Sequence, residues 1–177
     1  MIVILDNVRS MHNVGSIFRT ADAAGAEKIY LCGITPEPTD RLGRPRQQVT
    51  KVALGAEKNI PWEKAASALR LIGKLKKEGY AIVALEQAEG SVPYDSSEMR
   101  KLVSGTDHAA KIALVVGNEV DGVASAVSER CDVIAEIPMA GKKESLNVAV
   151  AFGIMAFHLR SEEKSAARKG PPKANKA

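Results

Sequence analysis

Aromatic residues are scarce in this chain: three Phe, three Tyr and one Trp, 4% of 177 residues. A core must therefore be aliphatic, and a hydrophobic content of 45% is enough to build one and to exclude disorder of the whole chain. There are only two cysteines, Cys32 and Cys131, with neither CxxC nor metal-ligand spacing. With no export signal, they read as reduced thiols of a cytoplasmic protein. No apolar run approaches the roughly 20 residues of a membrane span. The opening Met1–Leu5 run is cut off by Asp6, too early for a signal peptide. Also missing are a GxGxxG after the first strand, a P-loop, a GxSxG elbow and any His/Cys/carboxylate cluster at metal spacing. A dinucleotide dehydrogenase, a kinase and an NTPase thereby lose their main support, and no metal is expected. His12, His108 and His158 are scattered; His158 lies in an apolar stretch and reads as structural, His108 as a surface residue.

Charge is unevenly placed. The net charge is +4, but residues 164–177 carry Lys164, Arg168, Lys169, Lys173 and Lys176 and no acid, so the body carries +4 less +5, that is −1. The tail is rich in Pro, Ala and Lys, and the expectation is a domain over 1–162 followed by a basic, disordered tail over 163–177. Such a tail either adds electrostatic affinity for a polyanion such as RNA or simply keeps the protein soluble.

The apolar runs are short and continuous: Ile2–Leu5, Ile29–Cys32, Ala81–Leu85, Ile112–Val116 and Val133–Ile137. Runs of that kind suit strands buried on both faces, as in a parallel sheet. Helical patterns lie between them at Val14–Ala24, Trp62–Glu78, Ser96–Ser104, Ala124–Arg130 and Ser145–Ser161. The alternation predicts an α/β fold, a mostly parallel sheet flanked by helices. The last helix leaves almost no polar face, so it must be covered on all sides, by a second subunit or by the sheet and a neighbouring helix.

Polar residues gather where strands end, which is where parallel sheets bind ligands. Asn13 and Arg19 bracket the start of the first helix; Gly117-Asn118-Glu119 follows the fourth run, with Gly122 close behind. Ile137-Pro138-Met139 leads through a small-residue loop to Ser145-Leu146-Asn147, at the mouth of an apolar helix whose unpaired N–H groups can hold a ligand. Taken singly, Asn13 also reads as a helix cap, Arg19 and Glu119 as an ion pair and Ser145 as the cap of the last helix. Taken together, at strand ends, they read as a site. Between Gly33 and Lys51 lies a long segment carrying Arg41, Arg44, Arg46 and Lys51, either a solvated loop or a set of phosphate contacts.

Three segments, Asp6–Asp22, Leu114–Val123 and Ile137–Ala151, resemble in order and spacing the three motifs of the SpoU-type (TrmH-like) methyltransferases of the SPOUT superfamily. The resemblance covers roughly residues 2–160. It departs at Ser10-Met11, where the family often has Asp-Pro. The resemblance implies a deep C-terminal trefoil knot, a homodimer joined through the last helix, and S-adenosylmethionine as cofactor for methyl transfer to a ribose 2′-hydroxyl of tRNA or rRNA. It assigns Asn13, Arg19, Glu119, Ser145 and Asn147 to catalysis, with Arg19 of one subunit meeting the cofactor of the other; a contact in which Glu119 holds Arg19 is our own expectation. It assigns Leu85, Glu86, Gly117, Asn118, Gly122, Ile137, Pro138, Met139 and Leu146 to the cofactor. Many relatives carry an additional N-terminal RNA-binding domain. With a first strand at residue 2, the expectation here is that RNA is chosen by Arg41, Arg44, Arg46 and Lys51, the dimer surface and the tail. The competing readings are a catalytically silent RNA-binding dimer and an ordinary α/β nucleotide binder, the latter disfavoured by the missing phosphate loop.

Overall fold

The computed structural model describes residues 1–105 and 111–169, so His108 and the segment 170–177 lie outside the described residues. Seven strands form one sheet: β1 (Ile2–Asp6), β2 (Lys28–Cys32), β3 (Trp62–Ala65), β4 (Tyr80–Leu85), β5 (Val92–Pro93), β6 (Lys111–Val116) and β7 (Val133–Glu136). Their order is β3-β2-β1-β6-β4-β7-β5, and every pairing is parallel. Burial on both faces accounts for the unbroken apolar runs. Val3, Leu5, Ile29, Leu31, Ile112 and Leu114 face one core, and Ile2, Ile4, Tyr30, Ala113 and Val115 face the other.

Helices α1 (Met11–Ala24), α2 (Gln47–Ala53), α3 (Ala56–Asn59), α5 (Ser97–Ser104) and α7 (Val148–Lys169) cover the first face. Helices α4 (Ala68–Lys77) and α6 (Ser125–Ser128) cover the second. The α1 helix begins three residues earlier than its apolar pattern suggests, because Ser10 caps it by accepting the Asn13 N–H at 3.3 Å. At its far end Gly25 turns the chain out in a left-handed conformation, φ 72°. Gly15 lets α2 approach: an added Cβ would come within 2.5 Å of the Val49 carbonyl oxygen.

Three expectations change. The helical stretch expected over Trp62–Glu78 divides into β3 and α4, because Ser67 caps α4 and its side chain accepts the Arg70 N–H. Glu63 and Lys64 are exposed on the edge strand, where charge discourages pairing with another chain. The 33–51 segment is no open loop: Thr39 bridges Pro45, the Asp40 carboxylate accepts the Leu42 and Arg44 N–H groups, and α2 starts at Gln47. Lys51 is therefore a helix residue. The final helix runs through Lys169, so 163–169 is helical rather than disordered. Within the single chain, α7 buries Phe152, Met155, Ala156 and Leu159 and leaves Val150, Ile154 and Phe157 as an exposed apolar stripe at i, i+4 and i+7.

The two cysteines are free. Burial, aided by the charge of Asp6 at Cys32 and of Asp132 at Cys131, pushes both thiols up to about 12, so they stay protonated at neutral pH. His158 is half-buried and meets the Tyr94 ring edge-on, centroids 5.0 Å apart. Among the described residues no helix is long and apolar enough to cross a membrane.

Candidate active site

The sheet's strand order reverses direction between β1 and β6, since β1 leads outward to β2 and β6 leads the other way to β7. Ligands bind at such switch points, beyond the carboxyl ends of the strands. Next to this reversal, on the β6 side, a cavity of about 460 Å³ opens beside the ends of β4, β6 and β7, within the ~300–1,000 Å³ usual for small-molecule sites. Leu85, Glu86 and Gln87 line it after β4; Val116 to Val120 and Gly122 after β6; Glu136, Ile137 and Met139 after β7. Ser145, Leu146 and Asn147 close it at the start of α7, with Val148 and Ala151 behind them.

The loop after β6 is wound tightly. Asn118 and Gly122 exchange backbone hydrogen bonds, and Asn118 Oδ1 accepts the N–H groups of Val120 (2.9 Å) and Asp121 (2.8 Å). Gly117 packs so closely on the Gly122 backbone that a Cβ would collide with it. With no side chains, Gly117 and Gly122 bring backbone to the cavity wall.

The Asp6–Asn13 segment meets that loop through Glu119. Its carboxylate accepts the Arg9 N–H (3.0 Å), the Ser10 N–H (3.0 Å) and the Asn13 side-chain amide (2.8 Å). Burial pushes the Glu119 carboxyl upward, but those donors, together with its own backbone N–H, more than offset it and hold it below the ordinary carboxylate range. Arg9 and Asp121 add a surface ion pair at 3.3 Å. Asn13 then passes the link on, its oxygen accepting from Asn147 Nδ2 at 3.1 Å. Asn147 is also the cap of α7: its Oδ1 accepts the Ala149 N–H at 2.9 Å, and its carbonyl accepts the Ala151 N–H. Asn147, not Ser145, thus starts the last helix.

Helices α1 and α7 lie side by side with their N-termini together. Asn13 bonds Asn147, Thr20 sits against Gly153, and Arg160 borders Gly25. The expected residues fall into place unequally on this frame. Eight of those assigned to a cofactor line the cavity; Pro138 does not. Glu119, Ser145 and Asn147 line it, and Asn13 is tied to two of them. Arg19 is exposed on α1 and is not in the lining; Glu119 does not hold it, since that carboxylate is occupied by Arg9, Ser10 and Asn13. Arg41, Arg44, Arg46 and Lys51 lie outside the cavity, and Arg44 is paired with Asp40 at 2.9 Å. Reasoning from sequence gave no role to Gln87, Val116, Val120, Glu136, Val148 and Ala151 in the wall, although Val116, Val120, Val148 and Ala151 lie inside the motif segments and Gln87 and Glu136 adjoin Glu86 and Ile137. It also overlooked the backbone role of Arg9 and Ser10, which no residue type signals.

A crevice beyond the carboxyl ends of three adjacent parallel strands, walled by their loops, defines an α/β ligand-binding protein. The SpoU rRNA Methylase family model matches residues 1–157, and the chain belongs to that family. It is 34% identical over 167 residues to the 23S rRNA (guanosine-2′-O-)-methyltransferase RlmB of Coxiella burnetii, covering 94% of this chain and 60% of the relative. Among solved structures it resembles an AdoMet-bound rRNA methyltransferase from Sinorhizobium meliloti, with TM-score 0.77, 34% identity, and 90% of this chain matched to 55% of the other. The A. aeolicus TrmH/SpoU tRNA modifying enzyme aligns with TM-score 0.75 and 30% identity, over 97% of this chain and 79% of that one. The chain spans about 60% of the length of the curated relatives it matches.

Proposed function

We propose that the chain is an S-adenosylmethionine-dependent methyltransferase acting on a ribose 2′-hydroxyl of tRNA or rRNA, in the cytoplasm, as a homodimer. The observation that carries this reading is the cavity itself, beside which Glu119, Asn13 and Asn147 form one chain of hydrogen bonds. The residues present suit the cofactor. Leu85, Ile137, Met139 and Leu146 supply apolar wall for an adenine, and the tight 117–122 backbone supplies peptide groups at close range. When bound, the cofactor supplies a methyl group activated on a sulfonium sulfur.

The chain's residues then orient and exclude water. The Glu119–Asn13–Asn147 series fixes the N-termini of α1 and α7 at the cavity mouth. Arg19 stands outside this cavity, which supports the arrangement in which it serves the site of the other subunit. There its guanidinium grips the phosphate next to the target ribose, in the two-pronged geometry that suits phosphate, and sets the 2′-oxygen in line with the methyl. A group with pKa above about 12 is a poor base, so Arg19 positions and the hydroxyl proton leaves late, to solvent. The exposed Val150, Ile154 and Phe157 stripe on α7 supports the dimer. The knot is supported by the path of the chain: β6 and β7 flank β4, and α7 returns from β7 to pack on α1.

The test is transfer of labelled methyl from S-adenosylmethionine to bulk RNA, followed by mapping of the methylated position. Incorporation at a ribose 2′-oxygen, lowered by orders of magnitude in Arg19→Ala with cofactor affinity intact, is expected. Full cofactor and RNA binding without any transfer would instead identify a catalytically silent RNA-binding dimer.

A further inference from the structure

Glu86 follows directly on β4 at the cavity wall, where a carboxylate invites assignment as a direct ligand contact. Its hydrogen bonds describe another task. Oε2 accepts the Val123 N–H at 2.7 Å, from the far end of the loop after β6, and Oε1 accepts the Gln87 N–H at 2.8 Å. The Glu86 backbone N–H, in turn, donates to the Ala135 carbonyl of β7 at 3.0 Å. One residue therefore ties together the ends of the three strands whose loops wall the cavity. The fit is close. Gly122 lies in the left-handed region, φ 66°, and a Cβ there would collide with the Glu86 carboxylate, just as a Cβ on Gly117 would collide with Gly122. Glu86, Gly122 and Gly117 are stacked with no space between them.

We infer that Glu86 is a positioning residue: its carboxylate clamps the 117–123 loop in the shape that receives the cofactor, and acts on the cofactor through that loop. A carboxylate is required because both contacts are backbone donors, and an anionic acceptor bonds such donors about twice as strongly as a neutral one. Shortening the side chain to Asp withdraws the acceptor from Val123. Replacement by Gln keeps one acceptor but turns an N–H₂ group towards the other donor, which leaves an amide unpaired.

The inference rests on the cofactor reading above, so the experiment has one arm independent of it. In the full-length protein without ligand, hydrogen exchange at the Val123 amide should quicken in Glu86→Gln by about tenfold or more, while amides in β1 and β2 are unchanged. In the second arm, S-adenosylmethionine affinity of Glu86→Gln should fall about tenfold, with RNA affinity and turnover at saturating cofactor close to wild type. Gly122→Ala should show the same loss, and in a Glu86→Ala background the Gly122→Ala penalty should shrink, because the colliding carboxylate is gone. An unchanged Val123 exchange rate, or strictly additive effects of the two substitutions, would overturn the clamp. Loss of turnover with cofactor affinity retained would overturn it too, by making Glu86 a catalytic group. If exchange quickens as expected but the wild-type chain binds no S-adenosylmethionine, the clamp stands as a loop-shaping device and the cofactor reading fails.

Discussion

Asn13 donates its side-chain amide to Glu119 at 2.8 Å across 106 positions of sequence. That bond joins the first turn of α1, the helix that follows β1, to the loop after β6; β1 and β6 are the two strands at which the sheet reverses. It also lets one carboxylate organise two motifs whose roles depend on being close together. Glu119 is exposed, so water limits what the contact is worth, to about 1 kcal/mol.

The first prediction follows from the sign of the Glu119 shift. Its carboxyl titrates below its ordinary range, so its contribution to stability is fully present above the unfolded value and is lost as pH falls through the folded one. Glu119→Gln should melt below wild type at pH 7, and the gap should close as pH falls below the ordinary carboxylate range. A gap that stays constant over that range would mean the anion is not what holds Arg9, Ser10 and Asn13.

Gly15 carries the second. A methyl at this helix-interior position meets the Val49 carbonyl of α2, backbone that has no rotamer to move away. Gly15→Ala gains helix propensity yet should lose about 1–3 kcal/mol by overpacking. In a chain of this size the melting temperature then falls by about 2–4 °C per kcal/mol. A rise in melting temperature would show that α2 can move away without cost.

Much of this arrangement is legible in the amino-acid sequence. Continuous runs of Ile, Val and Leu mark five strands, because a parallel sheet buried on both faces needs them everywhere. The other two strands carry no such signal. Trp62–Ala65 is an edge with charge facing water, and Val92–Pro93 has two residues. The site is legible as strand-end loops with Gly, Asn and Glu. Its internal wiring is not, since Glu119 bonds the backbone N–H groups of Arg9 and Ser10, donors that every residue except proline offers. Phe152 and Phe157 look alike in an apolar helix and prove opposite, one at 0% and the other at 52% exposure, because which turn of a helix faces a neighbour depends on the packing of α1 and α5.

That contrast makes the third prediction. Phe157→Glu should leave the fold intact and turn the proposed dimer into a monomer at micromolar concentration, because it places charge in the exposed stripe with Val150 and Ile154. Phe152→Ala should instead cost about 3–5 kcal/mol as a core cavity, with no specific effect on association. Sedimentation and thermal melting of both variants separate these outcomes. A Phe157→Glu protein that remains dimeric would place the interface elsewhere.

The last prediction concerns the turn at 38–46, whose basic residues are not equivalent. Arg44 is already engaged by Asp40, and Arg46 donates through Nε to the Thr39 carbonyl, so each partly serves the turn. Arg41 is exposed. An arginine that neutralises a phosphate releases counterions, so log affinity for RNA falls with log salt by about 0.7 per contact on a single strand. Arg41→Ala should flatten the slope by about that amount while leaving the melting temperature unchanged. Asp40→Asn removes the anion that competes for Arg44 and should steepen the slope, at the expense of a looser turn. Replacing Lys164 and Arg168, exposed near the end of α7, tests the helix's far end in the same way. If the slope responds there and not at Arg41, RNA approaches along the last helix rather than across the turn.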